Sequence, residues 1–130
     1  MFTTNVRGIV KNWHNINQIN LKNYDILLLN EIWQIKDYEN IKLDDYKIAK
    51  VYQRNERRGG GVIIYTRENI NYKLIESPLQ EGIIETCAIE IENTIICSLY
   101  RPPSGCKDTA VEKIIDWVET IGNKKNTHSR

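Results

Sequence analysis

The stretch Asp25-Ile26-Leu27-Leu28-Leu29-Asn30-Glu31-Ile32-Trp33 drives an apolar strand straight into a carboxylate and an aromatic. A short continuous apolar run ended by polar residues is the pattern of a buried strand, and it places Glu31 at the strand's end. In α/β proteins the carboxyl ends of strands open onto the crevice where ligands bind. Glu31 therefore has two readings, a solvated cap on a core strand or a metal ligand.

The remaining segments supply partners for this strand. Tyr46 to Tyr52 and Gly61 to Tyr65 read as further buried strands, and Tyr72 to Ile75 as a weaker one. Val10, Trp13, Ile16 and Ile19 recur at helical spacing, with Asn12, Asn15, Asn17 and Asn20 between them lowering the propensity. Asp37 to Asp45 reads as a charged loop. Ile84 to Glu92 and Thr94 to Tyr100 predict an antiparallel hairpin. Within it Cys87, Ile89 and Ile91 share one face, and Ile95, Cys97 and Leu99 share one face of the next strand. Matching those faces predicts an odd, three-residue loop at Glu92-Asn93-Thr94. Asp108 is placed to cap a helix whose Val111, Ile114, Ile115, Val118 and Ile121 form one apolar stripe, read as core and ended by Gly122. Helices and strands in this order predict a mixed α/β (α+β) layer architecture.

Composition bounds the function. With 130 residues and 41% hydrophobic content the chain is one domain at most. A formal net charge of +1 provides no global field for nucleic acid, which argues against tight nonspecific DNA binding by this chain alone. Basic residues cluster locally at Arg54, Arg57 and Arg58, as a solvated loop or as a phosphate-contacting rim. The three cysteines, Cys87, Cys97 and Cys106, sit at no metal-ligand spacing. An odd count without a signal peptide points to reduced thiols in an intracellular setting, with Cys87 and Cys97 as core residues. No apolar run reaches bilayer length, so no membrane partner is expected.

Four segments in order, Thr3-Thr4-Asn5-Val6-Arg7-Gly8-Ile9, the Glu31 run, Arg58-Gly59-Gly60-Gly61-Val62-Ile63-Ile64-Tyr65 and Ser98-Leu99-Tyr100-Arg101-Pro102-Pro103-Ser104-Gly105, carry a resemblance. Together they resemble the endonuclease/exonuclease/phosphatase superfamily, in particular the apurinic-endonuclease-like domain of jockey-type non-LTR retrotransposon polyproteins. The glycine run and the Tyr-Arg-Pro-Pro-Ser segment point to the retroelement branch. The likeness runs from Asn5 to about Gly122 and covers the front of the family's domain.

The resemblance implies a partial four-layer α/β sandwich, its mostly antiparallel sheets flanked by helices. Residues 1–122 would be the N-terminal part of that domain, and 123–130 a polar, disordered tail. It implies Mg²⁺, or Mn²⁺, as cofactor, DNA and the remainder of a retroelement polyprotein as partners, and the nucleus as the place of action. Glu31 matches the family's metal-binding glutamate, and Asn5 the asparagine that shapes the metal and phosphate site. Tyr100 matches the active-site tyrosine, with Arg101 and Arg58 as candidates for phosphate or DNA contact. One or two carboxylates suffice for Mg²⁺, which keeps several waters. His14 and His128 fall on no family motif and read as surface residues.

The family's Gly-Asp-Phe-Asn and Ser-Asp-His motifs do not occur in the chain. The resemblance assigns water activation to the aspartate of the first and assistance at the phosphate to the histidine of the second. Such groups act as a unit, so their loss is expected to erase nearly all turnover. Two readings stay open: an inactive piece of a Mg²⁺-dependent DNA endonuclease, and a non-catalytic remnant that serves as a binding or interaction module. A fragment of another member of the superfamily, such as a repair nuclease, is a further alternative. The chain alone is expected to be poorly soluble or to bind the dye ANS, because Ile26 to Leu29, Val62 to Tyr65 and Ile95 to Leu99 are apolar, β-rich and lack covering strands.

Overall fold

In the computed structural model, residues 1–55 and 58–128 are described, the last four of them by backbone alone. The apolar run becomes strand β2 (Ile26–Asn30), flanked on one side by a parallel β1 (Phe2–Asn5). On its other side lies an antiparallel β4 (Val62–Arg67), and β3 (Tyr46–Tyr52) completes the sheet in the order β1-β2-β4-β3. The second sheet is built on β7 (Ile84–Ile91). It pairs with β8 (Thr94–Tyr100) along one edge and with the short β5 (Lys73–Ile75) and β6 (Leu79–Gln80) along the other. The class is thus mixed α/β, mostly sheet.

The alternation of side chains explains why β2 is apolar from Ile26 to Leu29 and β4 from Val62 to Ile64. Leu28, Val62 and Ile64 point between the sheets and meet Cys87 and Ile89 of β7. Leu27, Leu29, Ile63 and Tyr65 point the other way, into a second core. That core is closed by helix α1 (Trp13–Asn17), by a 3-10 turn at Tyr38–Ile41, and by loop residues Ile9, Leu21, Ile32, Ile35 and Leu43. With both faces covered, a strand needs an apolar residue at every position. Two tyrosines also anchor the loop shell. The Tyr65 hydroxyl donates to the Ile41 carbonyl at 2.6 Å, and the Tyr46 hydroxyl is 2.6 Å from the Leu21 carbonyl and 2.5 Å from that of Tyr24.

The structure departs from the sequence reading in four places. Helix α1 is far shorter than the spacing from Val10 to Ile19 suggests, with Ile16 buried and both end residues exposed. The charged loop from Asp37 contains the 3-10 turn, capped by Asp37 Oδ1 accepting from the Glu39 amide at 3.0 Å. The β7–β8 loop is not three residues but the pair Glu92 and Asn93, with φ of 47° and 68°. Two successive left-handed residues make the tight turn that matches strand twist. Face matching failed because both faces of this hairpin are covered: Ile96 joins Cys87 and Ile89 between the sheets, while Ile95 lies on the side approached by the last helix.

That helix, α2 (Lys107–His128), is the fourth difference. Its backbone runs through Gly122, so residues 123–128 are helical where a polar tail was expected. No proline follows Gly122 to force a stop. Asp108 lies in the first turn, where its charge suits the helix dipole, and is not the cap. Only part of the expected stripe turns inward. Ala110 is buried, Ile114, Trp117 and Ile121 are half-buried, and Val111, Ile115 and Val118 remain exposed. The Trp117 indole donates to the Glu76 carbonyl at 2.8 Å, holding α2 to the β5–β6 connection. No helix among the described residues is long and apolar enough to cross a membrane.

Candidate active site

At the carboxyl end of β2 the backbone leaves ordinary strand geometry. Glu31 has a φ of 54° and Trp33 a φ of 65°, the left-handed region that non-glycine residues rarely occupy. Each such residue costs about 1–3 kcal/mol and persists only where the surroundings over-determine it. Here the surroundings are two loops. The Gly8 amide donates to the Glu31 carbonyl at 2.8 Å, and the Ile9 amide to the Ile32 carbonyl at 3.0 Å. From the other side, the Ile32 amide donates to the Gly61 carbonyl at 3.4 Å and the Trp33 amide to the Gly60 carbonyl at 2.9 Å.

Across the sheet interface, β8 ends on Tyr100. Its hydroxyl donates to Glu31 Oε1 at 2.8 Å, joining residues 69 positions apart. The second sheet thereby delivers a phenol to a carboxylate presented by the first. Ser98, two residues earlier on the same face, supports this docking by donating to the Leu29 carbonyl at 3.4 Å. Burial, then the hydrogen bond to Glu31 and its charge, push the Tyr100 hydroxyl up to about 12. Tyr100 is therefore a neutral donor at physiological pH.

This pair opens onto a cleft of about 830 Å³ whose walls include Lys11, Trp33, Arg58, Pro102 and Pro103. Lys11 Nζ stands 5.7 Å from the Trp33 ring centroid, within cation–π range. Among the described residues lining the cleft, Glu31 is the one carboxylate, and no histidine is present. Of the two Glu31 oxygens, Oε1 is the one that accepts from Tyr100. One carboxylate oxygen fits a hydrated Mg²⁺ held weakly. A closed cage would need more: among the described residues no three His, Cys, Asp or Glu side chains converge.

No protein-family model and no curated protein matches this chain.

Of the residues singled out by sequence, Glu31, Tyr100 and Arg58 are brought together. Asn5 ends β1 beside Asn30 of β2 and is exposed, its Oδ1 accepting from the Arg7 amide at 3.2 Å. It shares this end of the sheet but is not part of the cleft wall. Arg101 is exposed and likewise outside the wall. Arg57 lies outside the described residues. His14 is exposed and pairs with Gln18 at 2.9 Å. Burial pushes the Cys87 thiol up to about 12 and Cys97 up to about 11, so both stay protonated as core residues.

Sequence reasoning missed the group behind the cleft. Arg54 lines the cleft but is buried and paired: its Nη2 lies 2.6 Å and its Nε 2.8 Å from Glu85 Oε2, with Glu85 fully buried. Glu85 Oε1 accepts from the Gly61 amide at 2.7 Å, and Arg54 Nη1 donates to the Arg58 carbonyl at 3.0 Å. The only signal for this was a lone Glu inside an apolar strand, Ile84-Glu85-Thr86-Cys87, facing a glycine run that follows arginines. The glycines are required. Gly60 has a φ of 61°, and a Cβ there would overlap both Glu85 Oε1 and Arg54 Nε. Gly60→Ala is therefore expected to lose about 1–3 kcal/mol from backbone strain alone, read as a lower urea midpoint. An unchanged midpoint would mean that the loop is free to move.

A second expected result concerns pH. The unfolded chain releases the Tyr100 proton near 10.0 and the folded chain near 12. A group whose folded pKa is raised stabilises the fold fully below the unfolded value. This contribution is lost as pH rises from 10 to 12. Glu31→Gln removes the adjacent charge, so the Tyr100 pKa should fall toward 10, seen by NMR of ring-labelled tyrosine with Tyr100→Phe as the assignment control. A Tyr100 pKa that ignores this substitution would refute the contact.

Proposed function

We propose that this chain carries the metal- and phosphate-binding face of a Mg²⁺-dependent phosphodiesterase. Its resemblance to the endonuclease/exonuclease/phosphatase superfamily supports assigning this face to the DNA endonuclease of a non-LTR retrotransposon, which in the intact family nicks target DNA in the nucleus. The observation that supports this reading is the Glu31–Tyr100 hydrogen bond, formed where the ends of two stacked sheets meet and with Glu31 held in left-handed backbone. Strain of this kind concentrates where a side chain must be aimed. The stacked sheets, with α1 on one outer side and α2 on the other, agree with the layered sandwich that the resemblance implies.

In this reading Glu31 would hold the cation, and its Oε1 is kept in place by the Tyr100 hydroxyl. Mg²⁺ or Mn²⁺, when bound, supplies charge neutralisation on the phosphoryl oxygens. Arg58 and Lys11 on the cleft wall offer cationic donors to the flanking phosphates. Tyr100 remains protonated and spends its one hydroxyl proton on Glu31 Oε1, so its role is to orient the carboxylate. No residue in the described wall takes a proton from water, so the isolated chain binds without turnover.

The test is DNA binding with and without Mg²⁺, by fluorescence anisotropy of a short labelled duplex, alongside nicking of supercoiled plasmid. Mg²⁺ is expected to tighten binding several-fold in the parent protein and not in Glu31→Gln, with no nicking by either. Mg²⁺-independent binding would overturn the role of Glu31. Robust nicking, abolished by EDTA and by Glu31→Gln, would overturn the absence of a water-activating group.

A further inference from the structure

Glu85 is a fully buried carboxylate that the phosphodiesterase reading does not use. Four donors converge on it: Arg54 Nε and Nη2, the Gly61 amide at 2.7 Å and the Gly82 amide at 3.2 Å. These come from the loop after β3, from the glycine loop before β4 and from the turn before β7. Glu85 is also the cross-strand partner of Tyr100 in the β7–β8 ladder. Glu85 therefore reaches the support of Glu31 through its carboxylate and that of Tyr100 through its backbone.

The two routes are short and continuous. On the Tyr100 side, the ladder register sets the backbone position from which the phenol reaches across. On the Glu31 side, Glu85 and Arg54 grip the glycine loop through the Gly61 amide and the Arg58 carbonyl. The carbonyls of Gly60 and Gly61 in turn hold the amides of Trp33 and Ile32, the two residues after Glu31. Ile32 packs directly on that loop, since a Cβ on Gly61 would come within 2.7 Å of its Cγ1. Ion-pair geometry suits the task, because a guanidinium fork fixes direction as well as distance.

We propose that the Arg54–Glu85 pair is a positioning device that locks the glycine loop against Ile32 and Trp33 and so aims the Glu31 carboxylate at Tyr100. Neither residue touches substrate in this scheme; both act through the loop. The proposal rests on the phosphodiesterase reading for its purpose but not for its geometry. A buried pair serving stability alone would loosen the whole fold when broken, whereas a positioning pair loosens one segment first.

Amide hydrogen exchange on the metal-free protein separates these cases. In Glu85→Gln the Ile32 and Trp33 amides should exchange at least tenfold faster relative to those of Leu28 and Ile64 in the neighbouring strands, and the Tyr100 ring should lose its nuclear Overhauser contact with Glu31. Arg54→Lys keeps the charge and loses the fork. It should show the same local change, and it serves if Glu85→Gln does not fold. Acceleration shared equally by all four amides, or a retained Tyr100–Glu31 contact, overturns the proposal. Mn²⁺ titration of the parent protein is an independent arm: a parent that binds no Mn²⁺ removes the phosphodiesterase reading while the exchange pattern still decides the positioning role.

Discussion

Replacing Arg54 by methionine is expected to cost about 3–5 kcal/mol, the usual penalty for leaving a buried charge without its partner. Against a typical domain stability of about 5–15 kcal/mol, that is a large share, and a domain at the low end of the range would be brought to the edge of unfolding. The carboxylate of Glu85 would keep the Gly61 and Gly82 amides but lose the one cation paired with it among the described residues. Urea denaturation checks this, with Arg58→Met as the comparison, since Arg58 is exposed and its carbonyl, not its side chain, is gripped by Arg54. Arg58→Met should stay within about 0.5 kcal/mol of the parent. A loss below about 1 kcal/mol at Arg54 would show a pair solvated as surface ion pairs are.

Substituting Val111→Lys, Ile115→Glu and Val118→Lys together is expected to convert a self-associating, ANS-binding protein into a dispersed monomer with little change in stability. These side chains are 44%, 50% and 57% exposed on α2. They form one exposed apolar strip beside the half-buried Ile114. Contiguous apolar surface of this kind drives association. The half-buried side should respond differently: Trp117→Ala removes the hydrogen bond to Glu76 and should release α2. Light scattering with ANS fluorescence distinguishes the two variants. Unchanged scattering in the triple variant would move the cause to the β8 edge. Of the three segments expected to be uncovered, Ile26 to Leu29 and Val62 to Tyr65 lie in central strands with neighbours on both sides. Only the segment from Ile95 to Leu99 belongs to an edge strand.

Strand content was legible where burial is two-sided. The bounds of Ile26–Asn30, Tyr46–Tyr52 and Thr94–Tyr100 follow from apolar and β-branched density ended by turn residues. The same two-sidedness hid the hairpin register, because a strand with two buried faces gives no facial signal to align. Phe2–Asn5 was too short to read as a whole strand, yet the parallel ladder to β2 stabilises it. Glu31 and Tyr100 could each be located at a strand end from sequence. Their hydrogen bond is a property of sheet stacking, which local pattern does not encode. Glu85 was invisible for a related reason: its partner lies 31 residues away, and only the fold brings a buried carboxylate and a guanidinium together.

The most direct test of the proposed cation site is paramagnetic relaxation by Mn²⁺, followed residue by residue in the amide spectrum of the parent protein and Glu31→Gln. If Glu31 holds the cation, broadening begins at Glu31, Ile32, Trp33 and Tyr100 and disappears in Glu31→Gln. Broadening that starts at other carboxylates, or that persists unchanged in Glu31→Gln, would contradict it.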